Sequence, residues 1–219
     1  FNPDPDPDPN PKPNPDQETF KEAKAFNQPL SWDTSSVTTM DTMFYRARAF
    51  DQPLRFDTSS VTNLRAMLRG AKEYNHPLSF DTSSVTVMNE MFKDAVAFNQ
   101  PLHFDTSKVR GMEEMFERAK AFNQPLNFDT SRVTNMDELF EEATRFNQPL
   151  HWDTSKVTGM NEMFREAMSY NQPLSWNTSN VIDVRSAACP APNRQSPPLH
   201  ATRAAAAPPA LEAQAPELR

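Results

Sequence analysis

Glycine, cysteine and long apolar runs are scarce in this chain of 219 residues. With only 3 glycines, the sequence disfavours glycine-rich phosphate loops and folds that depend on many turns with positive φ. The single cysteine, Cys189, has no intramolecular partner for a disulfide. No apolar run approaches the roughly 20 residues of a membrane span. A net charge of −7 also argues against general affinity for nucleic acid.

Proline, in contrast, is abundant and divides the chain into three parts. Seven of the 21 prolines lie in residues 3–15, seven in 29–173 at one fixed interval, and seven in 190–216. The sequence therefore predicts an Asp/Pro-rich extended linker over 1–15, a repeat domain over 16–189 and an Ala/Pro-rich disordered tail over 190–219.

The middle part repeats every 24 residues without a slip. The unit reads F-N-Q-P-L-x-[FW]-D-T-S-x-V-T-x-M-x-x-M-F-x-x-A-x-x. Its first aromatic position is occupied by Phe26, Phe50, Tyr74, Phe98, Phe122, Phe146 and Tyr170. A period of this length is typical of repeat proteins in which each unit packs on its neighbours.

Two apolar spacings share each unit. Leu30 and Trp32 stand two residues apart, as on one face of a strand. The second half of the unit has apolar residues at spacings of three and four, as on one face of a helix: Val37, Met40, Met43, Phe44 and Ala47. We therefore predict an α/β repeat fold, a solenoid of seven 24-residue β-α coils. Its strands would stack about 4.8 Å apart in a parallel ladder.

The repeat resembles that of BspA-like leucine-rich-repeat surface proteins, including the mycoplasma-type repeat of unknown function. The resemblance rests on motifs such as Phe98-Asn99-Gln100-Pro101-Leu102 and Asp105-Thr106-Ser107, which recur almost unchanged from coil to coil over residues 20–185. It implies a leucine-rich-repeat-like solenoid on a surface or secreted protein, used for adhesion or recognition. It implies no catalytic residue.

Two columns are candidate binding residues. The first varies between constant neighbours and should point outward from the predicted strand. Its members are Ser31, Arg55, Ser79, His103, Asn127, His151 and Ser175. The second is a column of carboxylates at Asp33, Asp57, Asp81, Asp105, Asp129 and Asp153. Each Asp precedes Thr-Ser, so its side chain can close an Asx-turn, although calcium bridging neighbouring carboxylates is an alternative.

The sequence does not support an enzyme, a metal site or a cofactor. His103 and His151 lie two coils apart, roughly 10 Å at strand spacing, which is too far to ligate one zinc ion at about 2.1 Å each. Every coil offers Ser and Asp, whereas a catalytic centre requires one coil to differ from the rest.

These observations predict a non-enzymatic recognition or adhesion module, outside the cell or on its surface, that binds a protein or glycan partner. One alternative is a structural scaffold or spacer inside the cell. A second is binding to ice or a crystal surface through the Thr column from Thr34 to Thr178.

Overall fold

The computed structural model describes residues 19–182. The predicted linker over 1–15, the predicted tail over 190–219 and the predicted domain boundary at 189 lie outside this range. Six complete coils fall within it, at 27–50, 51–74, 75–98, 99–122, 123–146 and 147–170.

The predicted helical half of each coil is a run of tight turns. In the first coil, the N–H of Met43 donates to the carbonyl of Met40 at 3.3 Å, and the N–H of Ala47 donates to that of Phe44 at 3.0 Å. The third residue of the first turn, Thr42, has a φ of 55°. A 1→4 hydrogen bond with positive φ at the third position is the signature of a type II turn. The turn segments span 41–46, 65–70, 89–94, 113–118, 137–142 and 161–166.

The prediction of seven β-α coils with a parallel strand ladder is therefore wrong. Residues 19–182 contain no helix, and their strand content is limited to isolated bridges. The error has a physical cause. The residues at both ends of a turn, such as Met40 and Met43, are buried, so consecutive turns place apolar residues three apart just as a helix does.

The backbone pairs between coils at these turns. The N–H of Met40 donates to the carbonyl of Asn63, and the N–H of Phe44 to that of Met67, both at 2.9 Å. We call the stacked turn segments the turn ladder. Each coil adds one parallel bridge beside it, through Thr39, Asn63, Val87, Gly111, Asn135 and Gly159.

The segment predicted as a strand is extended but belongs to no bridge. In residues 29–34, buried Leu30 and Thr34 alternate with exposed Ser31 and Asp33. The predicted side-chain directions are therefore confirmed, whereas the predicted pairing at this position is not found in the described residues.

Aromatic columns fill the core. One column contains Phe20, Phe44, Phe92, Phe116, Phe140 and Phe164, with Leu68 at the remaining position. Where its phenylalanines lie in successive coils, their ring centroids are 5.3–5.6 Å apart. In the Trp32, Phe56 column and its successors the distance is 6.1–6.5 Å. The coils are therefore closest beside the turn ladder and fan apart toward the extended segments.

The expectation that few glycines exclude a fold of positive-φ turns is also wrong. Within residues 19–182, twelve non-glycine residues have positive φ, among them Thr42, Arg46 and Ala66. Gly70 is the glycine in this conformation. Hydrogen bonds to the next coil offset a conformation that costs roughly 1–2 kcal/mol for an L-residue.

Candidate binding face

One exposed surface follows the extended segments along the stack. Three residues of each coil contribute to it: the proline, the variable residue two positions on, and the aspartate two further on. We call it the Pro-X-Asp face. Its seven rows begin at Pro29, Pro53, Pro77, Pro101, Pro125, Pro149 and Pro173, and every residue of these rows is exposed.

The variable column projects from the middle of this face. The four long side chains at Arg55, His103, Asn127 and His151 are exposed. No hydrogen bond or ion pair joins these four side chains to another residue of the range 19–182. Their polar ends are consequently available to a partner. The prolines were not assigned to this face from the sequence, although they lie two residues before the variable residues and therefore on the same side of the chain.

The Asp column forms the predicted Asx-turns. Oδ1 of Asp33 accepts the N–H of Ser35 at 3.0 Å and its hydroxyl at 2.6 Å. The same N–H bond recurs at every later member of the column, including Asn177 in the last coil. The hydroxyl and N–H of Ser35 lower the pKa of Asp33 below its ordinary value. The pKa values of the other five aspartates shift in the same direction.

These hydrogen bonds favour the Asx-turn over the calcium alternative. Three carboxylates close enough to share one ion occur in two groups within the described residues, and both groups are glutamates of the turn ladder. Each carboxylate of the Asp column is thus engaged in a turn within its own row.

The Thr column lies inside the stack rather than on its surface. Its seven members are only 1–8% exposed. The hydroxyl of Thr34 donates to the carbonyl of Asp57 in the next coil at 2.9 Å, and this bond is repeated up to Thr154 and Asn177. These hydroxyls connect the coils, so they cannot form the flat threonine surface that ice binding requires.

A ladder of side-chain amides supports the start of each row. Oδ1 of Asn99 accepts the N–H of Asn123 at 2.9 Å and a bond from the amide of Gln124 at 3.1 Å. These bonds join the first residues of each row to the preceding coil. One pair of this ladder differs from the others, because Asp51 takes the place of Asn and His76 takes the place of Gln. Nε2 of His76 lies 3.2 Å from the Asp51 carboxylate.

The glutamates of the turn ladder are neutralised by cations of neighbouring turns. Lys93 pairs with Glu114 and Glu117, and Arg118 pairs with Glu117. Burial raises the pKa of Glu117, against the effect of these cations. In the second group, Arg165 pairs with Glu141 and Glu162. Each group therefore contains glutamates that are paired with cations, and we assign no metal to them.

Comparison with known proteins identifies a family. The family described as "Mycoplasma protein of unknown function, DUF285" matches residues 16–57, 54–128 and 102–196. No curated protein and no solved structure matches the chain. The likeness to BspA-like surface proteins stays a prediction. Residues 19–182 contain no helix that could cross a bilayer.

Proposed function

Because the chain belongs to the DUF285 family, a repeat family of unknown function, we propose its function from the geometry of the repeats. We propose that the protein is a non-enzymatic recognition or adhesion module on the cell surface or outside the cell. A protein or glycan partner binds along the Pro-X-Asp face.

The observation that carries this proposal is that the two outer columns of the face are nearly constant, whereas its central column varies from row to row. Proline and aspartate recur in the outer columns, while Arg55, His103, Asn127 and His151 differ between rows. The Asx-turns fix the backbone within each row, and the buried Thr hydroxyls hold each row against its neighbour. Such a frame presents different side chains at fixed spacing, which lowers the ordering cost of binding.

The charge of the Pro-X-Asp face indicates which kind of partner it favours. The face carries six ionised aspartates and one arginine. A partner with exposed basic groups meets a complementary potential, so its association should weaken as salt screens the charges.

The test uses the full chain on a glycan array and on arrayed surface proteins. A face variant replaces Arg55, His103, Asn127 and His151 by Ser. A control variant replaces Arg48, Glu73 and Lys120 by Ser, which changes the net charge by the same amount at exposed positions away from the face. We expect a ligand of the parent protein to bind the control equally and the face variant at least tenfold more weakly.

Two outcomes would contradict this proposal. Equal affinity of parent and face variant for a verified ligand would show that the face is not the binding surface. A parent that binds nothing and stays inside the cell would instead favour the scaffold alternative.

A further inference from the structure

The Asp column of the Pro-X-Asp face changes identity at one position. Six coils carry Asp-Thr-Ser, whereas the last one carries Asn177-Thr178-Ser179. This exchange creates the only Asn-X-Ser/Thr tripeptide among the 219 residues in which X is not proline. Oligosaccharides are attached to Asn in this tripeptide when it is exposed on a secreted protein.

The structure places Asn177 in a suitable position. The residue is exposed. Its backbone carbonyl accepts the hydroxyl of Thr154 at 2.9 Å, and its Oδ1 accepts the N–H of Ser179 at 3.1 Å. Nδ2, the atom to which a sugar is joined, has no hydrogen-bond partner within residues 19–182. Asn177 is thus anchored through its two oxygens, while its amide nitrogen is unpaired within the described residues.

We propose that Asn177 is a site of N-linked glycosylation at the last described row of the Pro-X-Asp face. This inference rests on the proposed surface location, because the transfer takes place in the secretory pathway. A transferase joins Nδ2 of Asn177 to the anomeric carbon of a sugar carried on a lipid diphosphate. The bond from that carbon to the phosphate oxygen breaks, the lipid diphosphate leaves, and the amide loses one proton to the transferase.

The repeat explains why a single row is modified. A carboxylate has no amide nitrogen, so the six aspartates of the column cannot accept a sugar. Asn177 nevertheless forms the same turn as Asp33, with its Oδ1 in the role of the carboxylate oxygen. The exchange therefore adds an acceptor nitrogen without altering the local fold. An oligosaccharide there would lie beside the last described coil, where Leu174 and Trp176 are only partly buried.

The experiment secretes the full chain from a eukaryotic host behind a signal peptide. Peptide mass mapping before and after treatment with peptide-N-glycosidase measures the occupancy of residue 177. We expect most molecules to carry a glycan whose release leaves Asp at this position. Asn177→Asp, which restores the residue of the other coils, and Ser179→Ala should each reduce the occupancy to none.

A matched gain-of-site variant keeps the test decisive. Asp153→Asn creates the same tripeptide one coil earlier, in an equivalent Asx-turn, and should acquire a second glycan. A secreted protein that is modified at 153 but not at 177 would overturn the proposal. Absence of modification at both positions would overturn it too, since neither row would then be an acceptor.

The glycan and the recognition function are separable. Parent and Asn177→Asp proteins are compared on the same arrays as the face variant. If residue 177 carries no glycan but the protein still binds its ligand, only the glycosylation proposal fails. If Asn177 is glycosylated but the protein binds no ligand, only the proposed recognition function fails.

Discussion

The turn ladder and the Pro-X-Asp face connect the same coils by different means. At the turn ladder, backbone N–H groups donate to carbonyls of the next coil, and aromatic rings lie 5.3–5.6 Å apart. At the face, the coils are joined by side chains such as Thr106, whose hydroxyl donates to the carbonyl of Asp129, and the rings are 6.1–6.5 Å apart. The stack is thus held mainly by backbone pairing on one side and by side-chain bonds and packing on the other. The Pro-X-Asp face, where the rings are farther apart, is the side on which the variable polar side chains have no partner among the described residues.

The largest expected effect tests whether the turn side is the more tightly packed one. Phe116 is fully buried between the rings of Phe92 and Phe140, whereas Phe104 is 6% exposed and stacks on Phe128. Phe116→Ala should reach the upper part of the ~3–5 kcal/mol range for buried aromatics and Phe104→Ala the lower part. Urea unfolding of both variants measures the difference.

The last described coil provides the control for that pair. Trp176 is only partly buried, and its ring stacks on Trp152 and Phe164. Trp176→Ala should cost less than Phe104→Ala because fewer neighbours surround it. Equal losses would show that residues beyond 182 pack on this coil.

A second prediction concerns the side-chain bonds that join the face. Thr106 is 1% exposed and its hydroxyl donates to the carbonyl of Asp129 at 3.0 Å. Thr106→Val leaves that carbonyl without its partner and should cost about 1–3 kcal/mol. Thr62→Val is the matched control, because the Thr62 hydroxyl makes an equivalent bond to Thr38 at 3.2 Å in an exposed position. Chemical denaturation should show the control within about 0.5 kcal/mol of the parent.

The third prediction tests the positive-φ turns. Gly70 has a φ of 71°, and a Cβ there would lie 3.2 Å from Cγ of Arg46. Gly70→Ala should therefore destabilise the protein by about 1–2 kcal/mol. Glu142 adopts a φ of 52°, so Glu142→Gly should change the stability by less than about 1 kcal/mol, because the relieved strain and the added chain entropy oppose each other. A large loss in Glu142→Gly would mean that its side chain contributes more than its backbone costs.

The smallest effect on the free energy of unfolding is expected from a change of pH in the acidic range. The pKa values of the six face aspartates are lowered in the folded protein, Asp105 by the hydroxyl and N–H of Ser107. Their contribution to stability is therefore fully present above the unfolded pKa, about 4, and is lost as the pH falls through the lowered folded values. Asp105→Asn keeps the turn, as Asn177 does, but removes one titrating group. Its unfolding free energy should depend less steeply on pH in this window, and an unchanged slope would contradict the assignment.

Local hydrogen bonds were the most predictable feature of the site. Asp33 lies two residues before Ser35, and this spacing alone predicts the Asx-turn that the structure contains. The outward direction of Ser31 followed in the same way from its place between two inward residues. Both depend on neighbours in sequence, so a single coil contains the information.

The sequence by itself determined the 24-residue register, the inward and outward positions and the Asx-turns, because each follows from residues within one unit. Only the tertiary structure decided between helix and turns for the second half of the unit. Met40 and Met43 are spaced alike in both, and the deciding hydrogen bond runs from Met40 to Asn63, 23 residues away in the next coil. A backbone N–H is satisfied equally well within a helix or by a neighbouring coil, so the choice depends on the stack and not on the local spacing.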